Sequence, residues 1–147
     1  MPLLSSGDQL KLREAFAEMI RPVRLLFFTQ TLDCDTCLTT RQILDELPPL
    51  SDKISIEEVN LVLDRDKAAR YGVDRAPAVV PVAVDEGGLA TDSRIRFLGA
   101  PSGYEFISLV HAVLLVGGRG SELTEENRAA LAQVDRPVKM QVFTTPT

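Results

Sequence analysis

Apolar residues recur at Leu12, Phe16, Met19 and Ile20, the i, i+4, i+7, i+8 spacing of one helical face. That spacing predicts a helix over residues 8–20, with Asp8 as its cap and Pro22 as its stop. The pattern then changes. VRLLFFT, residues 23–29, is a nearly continuous apolar run, as expected of a strand covered on both faces. CLTTRQILDEL returns to helical patterning until the break at Pro48-Pro49, KISIEEVNLVL reads as a strand and RDKAARYGV as a short helix. AVVPVAV and RIRFLG read as two further strands, and GYEFISLVHAVLLV as a long helix closing on Gly117-Gly118. Strand-helix-strand units imply parallel pairing with right-handed crossovers, and the turn at Glu86-Gly87-Gly88 begins a link suited to an antiparallel hairpin. The expected architecture is α/β, a central mixed sheet flanked by helices.

An internal repeat refines this picture. RPVRLLFFT at residues 21–29 returns as RPVKMQVFT at residues 136–144, with five of nine positions identical. The helical segments before each copy, EAFAEMI and AALAQVD, also correspond. The expectation is one domain over residues 1–120, carrying an extra N-terminal helix. Residues 121–147 are then a linker helix and the first strand of a second unit that the chain does not complete. In that register the counterpart of Cys34 falls just past Thr147. A strand at 138–144 without its own sheet is expected to stay disordered or to pair with the edge of a second copy, giving a homodimer.

Composition narrows the function classes. A chain of 147 residues that is 45% hydrophobic can bury one real core without disulfide stapling. Lys and Arg number 16 against 21 Asp and Glu, a net charge of −5 with the signs interspersed, which argues against a nucleic-acid partner. The first residues, MPLLSSGDQLKLREAF, lack the basic stretch and apolar core of a signal peptide. FISLVHAVLLVGG is interrupted by Ser108 and His111, and it falls short of the roughly 18 apolar residues of a membrane span. No membrane partner and a cytoplasmic location are expected. In that compartment a close cysteine pair is catalytic or metal-binding more often than structural.

Both cysteines lie in TLDCDTCLTT, separated by two residues where a strand turns into a helix. There the free backbone N–H groups and the positive end of the helix dipole stabilise a thiolate. Cys34 is thus expected to be the exposed nucleophile and Cys37 the resolving thiol. Asp33 and Asp35 oppose ionisation of Cys34, which favours a reducing poise nearer about −270 mV than about −120 mV. A metal site needs about four ligands, and the chain offers two thiols and His111, so only a site shared across a dimer competes. Two cysteines buried as small hydrophobes fit poorly among Asp33, Asp35, Thr36, Thr39 and Thr40. Pro77, just ahead of AVVPVAV, belongs at the first residue of a strand or in a special turn. Glu57 or Glu58 is a candidate proton acceptor for Cys37 if one of them faces inward. His111, on a face with Ile107 and Leu115, reads as a core or boundary residue.

The element order is that of a thioredoxin-like fold, and particular segments sharpen the likeness. LSDKI, YGVDRAPA, IRFLGAPSGYEF and the terminal VFTTPT resemble the protein disulfide oxidoreductases of thermophilic archaea and bacteria, also called glutaredoxin-like proteins. The resemblance runs from about Val23 onward and identifies the chain with the N-terminal unit of a tandem thioredoxin fold. It implies a thiol-disulfide oxidoreductase acting on protein disulfides, with Cys34 and Cys37 catalytic and no cofactor beyond the chain's own dithiol. It also implies a cis Pro77 facing the cysteine motif, substrate pairing along the backbone of Ala76, and a thioredoxin-reductase-like electron donor. The CDTC motif departs from the family in lacking an aromatic or amide residue between the cysteines, and the second fold is absent from the chain. A similar tandem occurs in flavin-containing alkyl hydroperoxide reductase subunits, whose first fold usually lacks the cysteines kept here. The alternative is a non-catalytic thioredoxin-like binding or docking module.

Overall fold

The computed structural model describes residues 2–145. Ser5, not Asp8, caps the first helix: α1 runs Ser6–Phe16, and the Asp8 N–H donates to the Ser5 hydroxyl at 3.1 Å. Hydroxyl caps of this kind satisfy one of the orphan donors of the first turn. The helix ends before residues 19 and 20, so Met19 is buried from the following turn while Ile20 is 71% exposed. After it come β1 (Val23–Thr29), α2 (Cys37–Asp45) and, past a single 3-10 turn at Pro48–Leu50, β2 (Ile54–Asn60). The rest are α3 (Arg65–Arg70), β3 (Ala78–Val84), β4 (Ala90–Asp92), β5 (Phe97–Leu98), α4 (Tyr104–Val116) and α5 (Glu125–Ala132).

The sheet runs β2-β1-β3-β4, with β5 also on β3. β1 and β2 are parallel, joined through α2, as the sequence pattern implies. The second strand-helix-strand unit does not follow it: β3 lies on the far side of β1 and antiparallel to it. α3 has six residues, and segment 71–77 after it stays at the end of the sheet where β2 finishes, so the chain does not return to the starting end. β3 therefore enters from the end where β2 finished.

Of the strand expected from RIRFLG only Phe97–Leu98 pairs, with β4 lying ahead of it at Ala90–Asp92, and Pro81 explains the gap between them. Pro81 sits inside β3 opposite Leu25 of β1 and has no N–H to give the other side. There the outer partner breaks. β4 pairs Val82 with Asp92 and β5 pairs Val79 with Phe97, so the four residues 93–96 bulge out opposite Val80 and Pro81.

Alternation along the strands sends side chains to two cores. Val23, Leu25, Phe27, Ile54 and Val79 pack with Phe16, Met19, Cys37, Leu44, Leu109 and Val113, placing α1, α2 and α4 on one face. Leu26, Phe28, Val59, Val80 and Val82 pack with Ala68 and Val73, placing α3 on the other. β1 feeds both cores, which is why its sequence is apolar apart from Arg24 and Thr29.

Candidate active site

The C-terminal ends of β1 and β2 and the N-terminal end of β3 lie at one end of the sheet, so the segments 30–36, 61–64 and 71–77 gather there. At this end Cys34 and Cys37 form a disulfide with their Cα atoms 5.5 Å apart. Cys37 opens α2 and is 7% exposed, held in the core by Leu44 and its neighbours. Cys34 lies in the turn ahead of the helix rather than within it, and is half-buried. Thr36, the N-cap residue, makes no side-chain cap hydrogen bond, so its hydroxyl takes up none of the first-turn N–H groups, and the Cys37 N–H donates to the Cys34 carbonyl at 3.5 Å. The Thr36 carbonyl is fully used: it accepts from the Thr40 N–H at 2.9 Å and from the buried Thr40 hydroxyl at 2.8 Å.

Asp33, directly before Cys34, sits in the left-handed region at φ 55°, and the Gln30 side-chain amide donates to its carbonyl at 3.2 Å. Asp33 and Asp35 are both exposed, as are Leu32 and Leu38 on either side of the motif. The Ala76–Pro77 bond is cis, and Pro77 is buried at the mouth of β3. Its carbonyl accepts from the Gly99 N–H at 2.9 Å, whereas Ala76, one residue earlier, precedes the β3 ladder and is only half-buried.

Three candidates fall away from this cluster. Glu57 lies on the α3 face of the sheet, opposite the cysteines, and pairs with Lys67 at 2.8 Å. Glu58 shares the cysteines' face but stands at the edge strand, half exposed, bound to Arg41 of α2. Neither reaches beneath Cys37, because strand alternation and the edge position of β2 aim both carboxylates at cations on neighbouring helices. His111 is exposed, along with Ile107 and Leu115, so that face of α4 is its outer one. Among the described residues, no three His, Cys, Asp or Glu side chains converge to hold a metal ion, and no helix is long and apolar enough to cross a membrane.

The sequence patterns missed Arg96. From the bulge at 93–96 its guanidinium donates to both carboxylate oxygens of Asp92, at 2.8 and 2.7 Å, and through Nε to the Tyr71 carbonyl at 3.0 Å. Asp92 is consequently held below the usual carboxylate range, chiefly by the Arg96 hydrogen bonds and further by the Arg94 backbone N–H, against the opposing effect of burial. The partners of Arg96 come from different elements, so no local motif announces them.

No protein-family model matches the chain. A curated relative described as a probable thioredoxin, from Methanothermobacter thermautotrophicus, is 30% identical over 79 residues, 53% of this chain and 81% of its own length. The N-terminal domain of alkylhydroperoxide reductase AhpF from Enterococcus faecalis has a TM-score of 0.75 at 30% identity, covering 86% of this chain and 58% of that one. A protein disulfide oxidoreductase from Aeropyrum pernix has a TM-score of 0.72 at 24% identity, covering 88% of this chain and 54% of that one, a likeness of fold. The chain thus spans little more than half the length of either solved structure.

Proposed function

This chain belongs to the thioredoxin family and is a thiol-disulfide oxidoreductase, and we propose that it acts on protein disulfides with Cys34 as nucleophile and Cys37 as resolving thiol. In the reduced form the Cys34 thiolate attacks one sulfur of the substrate disulfide. That S–S bond breaks, Cys34 becomes bonded to the substrate, and the first substrate thiolate leaves and takes a proton from solvent. Cys37 then gives up its proton and attacks the Cys34 sulfur, releasing the second substrate thiol. Two electrons have passed to the substrate, and the Cys34–Cys37 disulfide is left. Burial supports the two roles: Cys34 is partly exposed, where a substrate can meet it, and Cys37 is 7% exposed.

Ala76 and Pro77 supply the substrate edge in this reading. An extended peptide can pair with the Ala76 backbone ahead of the β3 ladder, while Leu32 and Leu38 offer apolar contact beside the disulfide. The reducing agent is a thioredoxin-reductase-like donor. The compartment is the cytoplasm, where the dithiol is regenerated at each turnover.

Residues 121–147 form the start of a second unit in this proposal. Through the repeat, Phe16, Met19, Val23, Leu25, Phe27 and Phe28 correspond to Leu131, Val134, Val138, Met140, Val142 and Phe143. The first six are at most 2% exposed, whereas the second six are 52–88% exposed. Apolar side chains at core positions with nothing over them favour a covering partner, and a second copy of the chain bound through residues 138–144 is the one proposed. The same exposed set also favours the rival reading, a docking module without catalysis.

The observation that carries the catalytic reading is the disulfide at the mouth of α2, with Cys34 partly exposed and Cys37 buried. Insulin reduction driven by dithiothreitol separates the two readings. Cys34→Ser is expected to fall to the uncatalysed rate, and equal rates for it and the wild type would leave only the docking role.

A further inference from the structure

Segment 71–77 leads from α3 to the cis proline, and it is held at both ends by the strand pair that brackets Arg96. At its far end the Pro77 carbonyl receives the Gly99 N–H, and Ala78 and Val79 pair with Leu98 and Phe97 of β5. At its near end the Arg96 Nε donates to the Tyr71 carbonyl, and the guanidinium lies 5.9 Å from the centre of the Tyr71 ring. The ring also meets Phe28 of β1, centroid to centroid at 6.2 Å. Arg96 is itself fixed by the two bonds to Asp92 of β4, and its side chain is only 25% exposed. Bidentate arginine contacts of this kind are directional as well as strong. The four-residue bulge forced opposite Pro81 is what brings this side chain within reach of Tyr71.

We propose that Arg96 is a positioning residue for protein substrates: by clamping Tyr71 it holds segment 71–77 so that the Ala76 backbone is presented ready to pair with an extended chain. This rests on the reading of Ala76 and Pro77 as the substrate edge. Without the clamp, the near end keeps its bonds to α3, through the Tyr71, Gly72 and Val73 N–H groups, and the buried Val73 side chain, but loses its tie to the β4–β5 side, so an incoming peptide has to order residues 74–76 on binding. The chemistry at sulfur is untouched, because Arg96 contacts neither cysteine nor any residue of the CDTC turn. The effect therefore belongs to substrate binding.

Arg96→Gln and Arg96→Lys, with Pro77→Ala as reference, are compared with wild type on two substrates, insulin and the small aromatic disulfide DTNB. The small disulfide has no peptide backbone to pair. The expected result for both arginine variants is a KM for insulin raised about tenfold, the effect of about one lost hydrogen bond, with kcat and the DTNB rate unchanged. Lysine should not rescue, since an ammonium lacks the planar fork that serves Asp92 and Tyr71 together. Pro77→Ala should raise the same KM. If Pro77→Ala raises it and the arginine variants do not, the role of Arg96 is overturned while the substrate edge stands. If Pro77→Ala leaves it unchanged, the substrate edge itself is wrong and the proposal falls with it. Equal losses on insulin and DTNB in the arginine variants would show general damage instead of positioning, and would also overturn it.

Discussion

Two cysteines three positions apart and a proline ahead of an apolar strand were readable because each is a local signal whose spacing carries its meaning. Arg96 was not, because its contacts with Tyr71 and Asp92 exist only once separate elements are packed together. The carboxylates at 57 and 58 failed for another reason: neighbouring strand residues face opposite sides, and the choice of side and the position of the strand in the sheet are settled by tertiary pairing. His111 was misplaced because α4 is apolar on more than one side, so its inward face could not be singled out from spacing. At this scale one electrostatic test is direct. Asp35, exposed in the turn between the sulfurs, carries a negative charge that opposes formation of the Cys34 thiolate. Asp35→Asn should shift the pH profile of Cys34 alkylation to lower pH, and should make the dithiol a weaker reductant. An unshifted profile by iodoacetamide kinetics would remove Asp35 from the control of reactivity.

Elements were legible where a single periodicity ran for several residues, as in β1, β3 and α4, and blurred where capping or pairing set the ends. α1 starts at its Ser5 cap ahead of the apolar stripe, and the strand expected at 94–99 shrinks to Phe97–Leu98 because Pro81 interrupts the ladder it would have joined. The β4–β5 bulge is held by the Arg96–Asp92 pair, whose pH dependence has a definite sign. Asp92 has its carboxyl group depressed in the folded protein, so its contribution is present above the unfolded carboxyl value of about 3.9 and is lost as pH falls through the lower folded value. The carboxylate is about one-third exposed, which limits the pair to about 1 kcal/mol. Asp92→Asn should therefore lower stability at pH 7 by about that amount, and the gap to wild type should close in strong acid. Urea unfolding at pH 7 and pH 2 measures both, and a gap that persists at pH 2 would assign the loss to something other than the ion pair.

For the whole molecule, the exposed apolar set on α5 and residues 138–143 predicts concentration-dependent self-association. Met140→Lys with Val142→Lys should keep the chain monomeric while leaving the redox domain folded, since both side chains are more than three-quarters exposed. Sedimentation velocity over a range of concentrations reads this, and a wild-type chain that stays monomeric throughout would remove the homodimer. The sequence by itself determined the layered α/β class, the cysteine pair and the internal repeat, because periodicity and short spacings are written into neighbouring residues. Tertiary structure alone decided that β3 runs against β1, where the acids of β2 point and that Arg96 reaches Tyr71. Those outcomes depend on which distant segments meet, and the entry of β3 from the end where β2 finishes and a strand proline without an N–H fixed that through the fold as a whole.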